Sequence, residues 1–174
     1  MKDIMIDIET PGKKYGCGVL SIGAAYFDRQ GNIGDKFYAC MGLNGFSVGS
    51  TDPETLEWWS RQALQAKIDL ISGEESPIIV AGNLQKFIKP GSRVWGNGSV
   101  FDITILEGWF EMLGREVPWS FRNVRDVRTV VDLLDIPKED MTFEGTAHNA
   151  LDDAIHQIKY LTKAMKVFYD SKGF

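Results

Sequence analysis

Asp3-Ile4-Met5-Ile6-Asp7-Ile8-Glu9 decides the fold. Ile4, Ile6 and Ile8 alternate with Asp3, Met5, Asp7 and Glu9, which is the period of a β-strand, and Pro11-Gly12 closes it. Asp7 and Glu9 are two residues apart, so both carboxylates project from one side of the sheet at a strand end. Such a pair is a ready site for a divalent cation. The plainer alternative is an edge strand with a solvated acidic face, which Asp3 would continue. An isoleucine-rich first strand followed by two pairing candidates suits the centre of a sheet better, and there uncompensated acids are costly.

Outward from this strand, residues 18–28 are apolar and rich in small side chains, Arg29-Gln30-Gly31-Asn32 signals a turn, and residues 33–41 read as a return strand. The three strands predict an antiparallel meander. Asp52-Pro53-Glu54 then places a capping acid, a first-turn proline and an acid, opening a helix to about residue 69. Further helices are expected over 78–88, 99–113, 124–134 and 146–168, with a short strand at 93–95. Strands first and alternation later predict an α/β class: a mixed central sheet of about five strands flanked by helices. The irregular stretches 42–51 and 135–145 are the candidate walls of a cleft.

Length and composition agree with one domain over residues 1–174: 44% hydrophobic and 25% charged residues exclude disordered and fibrous classes. Lys and Arg total 19 against 24 Asp and Glu, a net charge of −5, so a nucleic-acid partner would have to be held locally or through metal ions. Cys17 and Cys40 stand in no metal or disulfide pattern and read as reduced thiols of a cytoplasmic protein. Acids among the first ten residues do not fit a signal peptide. No uninterrupted apolar run is long enough to span a membrane, so no membrane partner is expected.

Two more segments carry chemistry. Trp95 to Asp102 reads as strand, glycine-spaced turn and helix start; Asp102 is either a site carboxylate or, with Ser99, one half of a capping box. Thr146 to Ala154 opens the last helix with His148, and a helix N-terminus disfavours the imidazolium, leaving a neutral base near pH 7. On an ideal helix Asp152 lies nearer His148 in angle than Asp153 does, unless His148 precedes the regular helix. The other histidine, His156, has no evident site partner and reads as solvent-facing.

The order of these features, Asp-x-Glu on the first strand, Asp opening a middle helix and His-x4-Asp opening the last, resembles the DEDDh superfamily of 3′-to-5′ exonucleases. Within it the chain resembles the phage and bacterial exonuclease VIII-like subgroup, through Leu20-Ser21-Ile22-Gly23-Ala24 and Thr55 to Gln62, over residues 3–165. Ile8 stands where the proofreading and ribonuclease T branches more often carry Thr or Val. The resemblance implies a ribonuclease H-like fold and two Mg²⁺ ions, for which Mn²⁺ would substitute. It implies that Asp7, Glu9, Asp102 and Asp153 are metal ligands, with Asp7 bridging and Asp152 the fallback for Asp153, and that His148 takes the proton of the attacking water. Two such ions about 4 Å apart stabilise both ends of an in-line displacement at phosphorus.

The implied activity is release of nucleoside monophosphates from the 3′ end of single-stranded DNA or RNA, in a bacterial or phage-infected cytoplasm. The resemblance also admits a homodimer. Thr10 and Asn97 belong to the matching motifs, Trp58 is placed to stack on a terminal base and Gln62 to bond a sugar or base. Arg122, Arg125 and Arg128 recur every three residues and on a helix would make a phosphate-binding ridge, with Arg125 its centre; Asp126 would support the site from behind. The competing readings are an inactive nucleic-acid-binding module and an oligoribonuclease limited to very short RNA.

Overall fold

The computed structural model describes residues 1–137 and 141–173. Its sheet has five strands, β1 (Asp3–Glu9), β2 (Ser21–Phe27), β3 (Ile33–Cys40), β4 (Arg93–Gly96) and β5 (Val124–Asp126), in the order β3-β2-β1-β4-β5. β1 pairs antiparallel with β2, β2 antiparallel with β3, and β4 and β5 continue in parallel, so the expected meander forms one half of a mixed sheet. Helices cover both faces. Ile4, Ile6 and Ile8 share a core with Val80 and Leu84 of α3 (Pro77–Phe87) and Leu106 and Trp109 of α4 (Ser99–Met112). Met5 shares the other core with Val127 and Val131 of α5 (Val127–Leu133) and Ala154, Ile158 and Leu161 of α6 (Ala150–Lys172). The alternation in β1 therefore serves two buried faces rather than one, as a central strand requires.

Several expectations are corrected. Asp3 does not continue an acidic face: it is 3% exposed, bound through both oxygens by Arg93 and accepting from Trp95 Nε1 at 2.8 Å. The helix expected from residue 53 to 69 is two, α1 (Pro53–Ser60) and α2 (Leu64–Ile71), with Ala63 extended at φ −53°, ψ 143° between them. Within α1, Trp59 and Thr55 are buried, while Leu56 and, after the helix, Ala63 are exposed. Residues 124–126 form β5 before α5 begins, because their backbone pairs with the buried β4. Residues 42–47 form a 3₁₀ segment rather than an open loop. Of the stretch 135–145 offered as a cleft wall, residues 138–140 lie outside the described residues.

Gly23 locks the last helix to the sheet. It pairs with Asp7 across β1 and β2, and a β-carbon built there would meet the backbone of Ala150 and Leu151 at 2.2 Å. Only glycine admits the start of α6 so close to the acidic end of β1. Gly23→Ala is therefore expected to cost about 2–3 kcal/mol by chemical denaturation, as overpacking does. It should also lower the activity of any site that uses His148 and Asp153 by roughly 100-fold, since both ride on the displaced segment.

Candidate active site

Three separate segments bring their acids to the C-terminal end of β1. Asp7 and Glu9 come from the strand itself, Asp102 from the first turn of α4 and Asp153 from the first turn of α6. Asp7 is half-buried, and burial, then the charges of Asp102, Glu9 and Asp153, raise its pKa well above the usual carboxylate value, against a hydrogen bond from Gln157. Glu9, 9% exposed, is raised by burial and then by Asp153 and Asp102. Burial pushes Asp102 up to about 7, although backbone N–H groups of Ile8 and Asn97 and the Arg128 guanidinium favour its charged form. Asp153 is pushed up to about 6, again by burial first. Four carboxylates that each resist ionisation at one strand end are a functional signature, because the fold alone gains nothing from placing them together.

The capping-box reading of Asp102 does not hold. The residue before α4 is Gly98, at φ +106°, and Ser99 makes no side-chain cap. Asp126 takes that role from β5: one oxygen accepts from Ser99 N at 2.6 Å and the other from Thr129 N at 2.8 Å, tying the starts of α4 and α5 together. Asp102 is thereby left to face Asp7 and Glu9.

His148 precedes α6, in the left-handed region at φ +65°, and Asn149 is the helix cap, accepting from Leu151 N and Asp152 N. Helical angles therefore do not relate His148 to either aspartate. Asp152 turns back to accept from Thr146 N at 2.8 Å, closing the loop. Asp153 instead offers an oxygen that lies, with ligand atoms of Glu9 and His148, in a group no more than 4.8 Å across. These hard oxygens and an imidazole fit a divalent cation. The imidazole pKa is lowered by burial, in the direction expected from sequence. The strained backbone at His148 is of the kind held at functional sites.

Trp58 and Trp59 both stand edge-on to His148, at 5.0 and 5.9 Å between ring centroids. Trp59 is buried and donates from Nε1 to the Thr10 carbonyl at 2.9 Å, fixing α1 to the end of β1. Trp58 remains 43% exposed on a cleft of about 500 Å³ that it lines with Ile8, Glu9, Thr10 and Phe101. The Thr10 hydroxyl is spent on the Gly12 carbonyl. Gln62 is turned away from the expected contact, donating to the Trp58 carbonyl at 3.0 Å. Asn97 has a buried Oδ1 without a partner among the described residues.

The arginine ridge does not form, because Arg122 lies in a 3₁₀ turn, Arg125 on β5 and Arg128 on α5. Arg128 is the one that reaches the site, beside Gly98 and Asp102. Arg125 donates to the carbonyls of Arg122 and Val124 and faces the other end of the sheet, with Asp3 and Arg93. His156 is not solvent-facing: it packs against Phe143 and Tyr160, with Nδ1 buried.

Gln157 escaped the sequence reading. It is 5% exposed and donates from Nε2 to Asp7 Oδ1 at 2.6 Å, leaving Oε1 unpartnered among the described residues. Its signal was present, since it follows Asp153 by one helical turn on the buried face of α6.

A mixed five-strand sheet sandwiched by helices is the ribonuclease H-like fold, and here it brings Asp7, Glu9, Asp102, Asp153 and His148 to one strand end. The chain matches the model of the 3′–5′ exoribonuclease Rv2179c-like domain over residues 2–165 and belongs to that family. No curated protein matches it by sequence. Among solved structures, it resembles the nuclease domain of 3′hExo, a DEDDh family member bound to rAMP, at 13% identity and a TM-score of 0.61, covering 95% of this chain and 92% of that one. The zinc-bound complex of E. coli ExoI with single-stranded DNA gives 14% identity and a TM-score of 0.65; the match takes in 98% of this chain but only 41% of ExoI. S. pombe Pop2p with Mg²⁺ and Mn²⁺ gives 14% and 0.57, over 97% and 84%. At these identities the likeness is one of fold. No helix among the described residues is long and apolar enough to cross a membrane.

Proposed function

We infer that the chain is a divalent-metal-dependent 3′–5′ exonuclease that removes nucleoside monophosphates from single-stranded ends, with RNA as the favoured polymer. The observation that carries this is the convergence of four mutually repelling carboxylates, two buried (Glu9, Asp102) and two half-buried (Asp7, Asp153), with one neutral imidazole. Asp7, Glu9, Asp102 and Asp153 would hold two ions, Mg²⁺ or Mn²⁺, which when bound supply Lewis-acid stabilisation of the phosphoryl oxygens and offset the acids' own charge. The family description favours RNA over DNA.

The protein's own groups do the rest. His148, neutral at pH 7, accepts the proton of the attacking water at a ring nitrogen, and Trp58 and Trp59 limit its orientations. Gln157 orients Asp7, and Asp126 holds the helix that presents Asp102. Trp58, exposed over the cleft, supplies a face or edge for the terminal base. The open cleft, the subgroup likeness and the two rival readings lead to the same assay. It follows 5′-labelled single-stranded RNA and DNA of several lengths with Mg²⁺, Mn²⁺ or chelator. A metal-dependent ladder receding from the 3′ end, faster on RNA, is expected; cleavage confined to the shortest strands would make the enzyme an oligoribonuclease, and binding without cleavage an inactive module.

His148→Asn is expected to lower kcat by about 10²- to 10⁴-fold. Divalent-ion binding, followed as the rise in Tm on adding Mn²⁺, should be largely retained. Loss of both together would make His148 a ligand instead of the base.

A further inference from the structure

The end of the sheet opposite the carboxylates carries a second surface that hydrolysis does not use. Asp3 and Glu9 are the two ends of β1, roughly 20 Å apart at the rise of a strand. Near the Asp3 end, the turn after β2 and the second half of α6 enclose a groove of about 940 Å³, lined by Arg29, Lys159, Lys163 and Lys166 against one acid, Asp170. The three lysines follow at i, i+4 and i+7, so they form a stripe along one face of α6. Lys159 pairs with Glu144 at 2.7 Å; among the described residues no ion pair engages Arg29, Lys163 or Lys166. In a chain of net charge −5, a groove with four cations against Asp170 and the Glu144 partner of Lys159 is a local excess of positive charge.

Arg29 lies over the Tyr169 ring at 5.0 Å, and these two residues also line an adjoining groove of about 530 Å³ between α5 and α6. Trp95, Met165 and Phe168 make that groove apolar, and Leu133 and Phe168 are 76% and 44% exposed. Arg125, expected from sequence to touch substrate, lines it too.

A cationic track beside an exposed aromatic side chain, here Phe168 next to the half-buried Tyr169, is the combination that binds single-stranded nucleic acid, phosphates on the cations and a base on the ring. We propose that this paired groove is a second contact for the polymer, holding the strand upstream of the 3′ end that enters the cleft. The polymer's identity rests on the nuclease reading above; the charge and the aromatic faces are independent of it. The contact makes long strands bind more tightly than short ones without touching the chemistry.

The test uses the full chain with chelator, so that nothing is cut, and fluorescent single-stranded RNA of about 4 and about 16 nucleotides, the limits of a typical single-strand site. For the longer strand, Lys163→Glu with Lys166→Glu should reduce the slope of log affinity against log salt by roughly 1.5. Phe168→Ala should weaken binding about five- to 100-fold. Binding of the short strand, its hydrolysis with metal restored, and the Tm should stay at wild-type values. Unchanged affinity and slope for the longer strand in both variants would overturn the proposal. So would a poly-glutamate peptide that displaces the RNA at lower concentration than unlabelled RNA does, which would assign the groove to an acidic protein segment. A wild-type chain that cleaves neither strand would refute the nuclease reading alone, because the binding measurement contains no catalytic step.

Discussion

Asp7→Asn is expected to lower kcat/KM by roughly 10⁴-fold or more, the scale of removing one member of a catalytic unit, while making the metal-free protein more stable. The two effects have one cause. Asp7 is held by burial and by the charges of Asp102, Glu9 and Asp153 in a place where ionisation is unfavourable, so its carboxylate is a cost to the apoprotein. Asparagine keeps the oxygen that accepts from Gln157 Nε2 and removes the charge. The gain should be about 1–3 kcal/mol, or a rise of roughly 2–10 °C in Tm for a chain of this size. Activity at the wild-type level would place the chemistry elsewhere. An inactive variant that is also destabilised would mean that Asp7 has a structural partner beyond Gln157.

The metal-free wild type should lose stability as pH rises from about 4 to about 8, the reverse of ordinary acid denaturation. Asp102 and Asp153 hold their protons up to about 7 and about 6 when folded, and burial raises Asp7 and Glu9 well above their usual range. The unfolded chain gives up those protons near pH 4. Groups with raised folded pKa values therefore contribute fully below about pH 4, and their contribution is lost as pH climbs through 6 and 7. The expected fall is on the order of a few kcal/mol, or roughly 10 °C in Tm, measured by thermal scans in chelator. The carboxylates with lowered pKa values, Asp28, Asp35, Asp52, Asp126 and Glu144, act chiefly at the acid edge of this window, and His148 and His156, both lowered by burial, oppose the fall below about pH 6.5 as two groups against four. Mn²⁺ should abolish the fall by stabilising the ionised site. A Tm that rises with pH in chelator would show that the four acids are more solvated than their burial indicates.

Which acids matter was legible at different depths. Asp7 and Glu9 declared themselves by a two-residue spacing on a strand, a local relation that needs no tertiary information. Asp102 did not, since Ser99 and Asp102 also satisfy the pattern of a capping box; the alternative fell only because Asp126, 27 residues along the chain from Ser99, supplies the cap. The choice between Asp152 and Asp153 turned on one backbone angle, the positive φ of His148, which lifts it out of the helix register. Arg125 failed because its periodicity was read on a helix, and the pairing of Val124 with Val94 made those residues a strand.

The sequence by itself determined the strand meander, the glycine and proline breaks and the Asp7–Glu9 pair, because these follow from periods and spacings of a few residues, whereas Asp102, His148 and Asp153 are assigned to the site only through a family resemblance. Only the tertiary structure decided that Asp3 is paired while Asp7 is not, that Gln157 holds Asp7 and that the cations gather at the far end of the sheet. Burial and charge coupling act through space, between segments such as Asp7 and Gln157 that lie 150 residues apart along the chain.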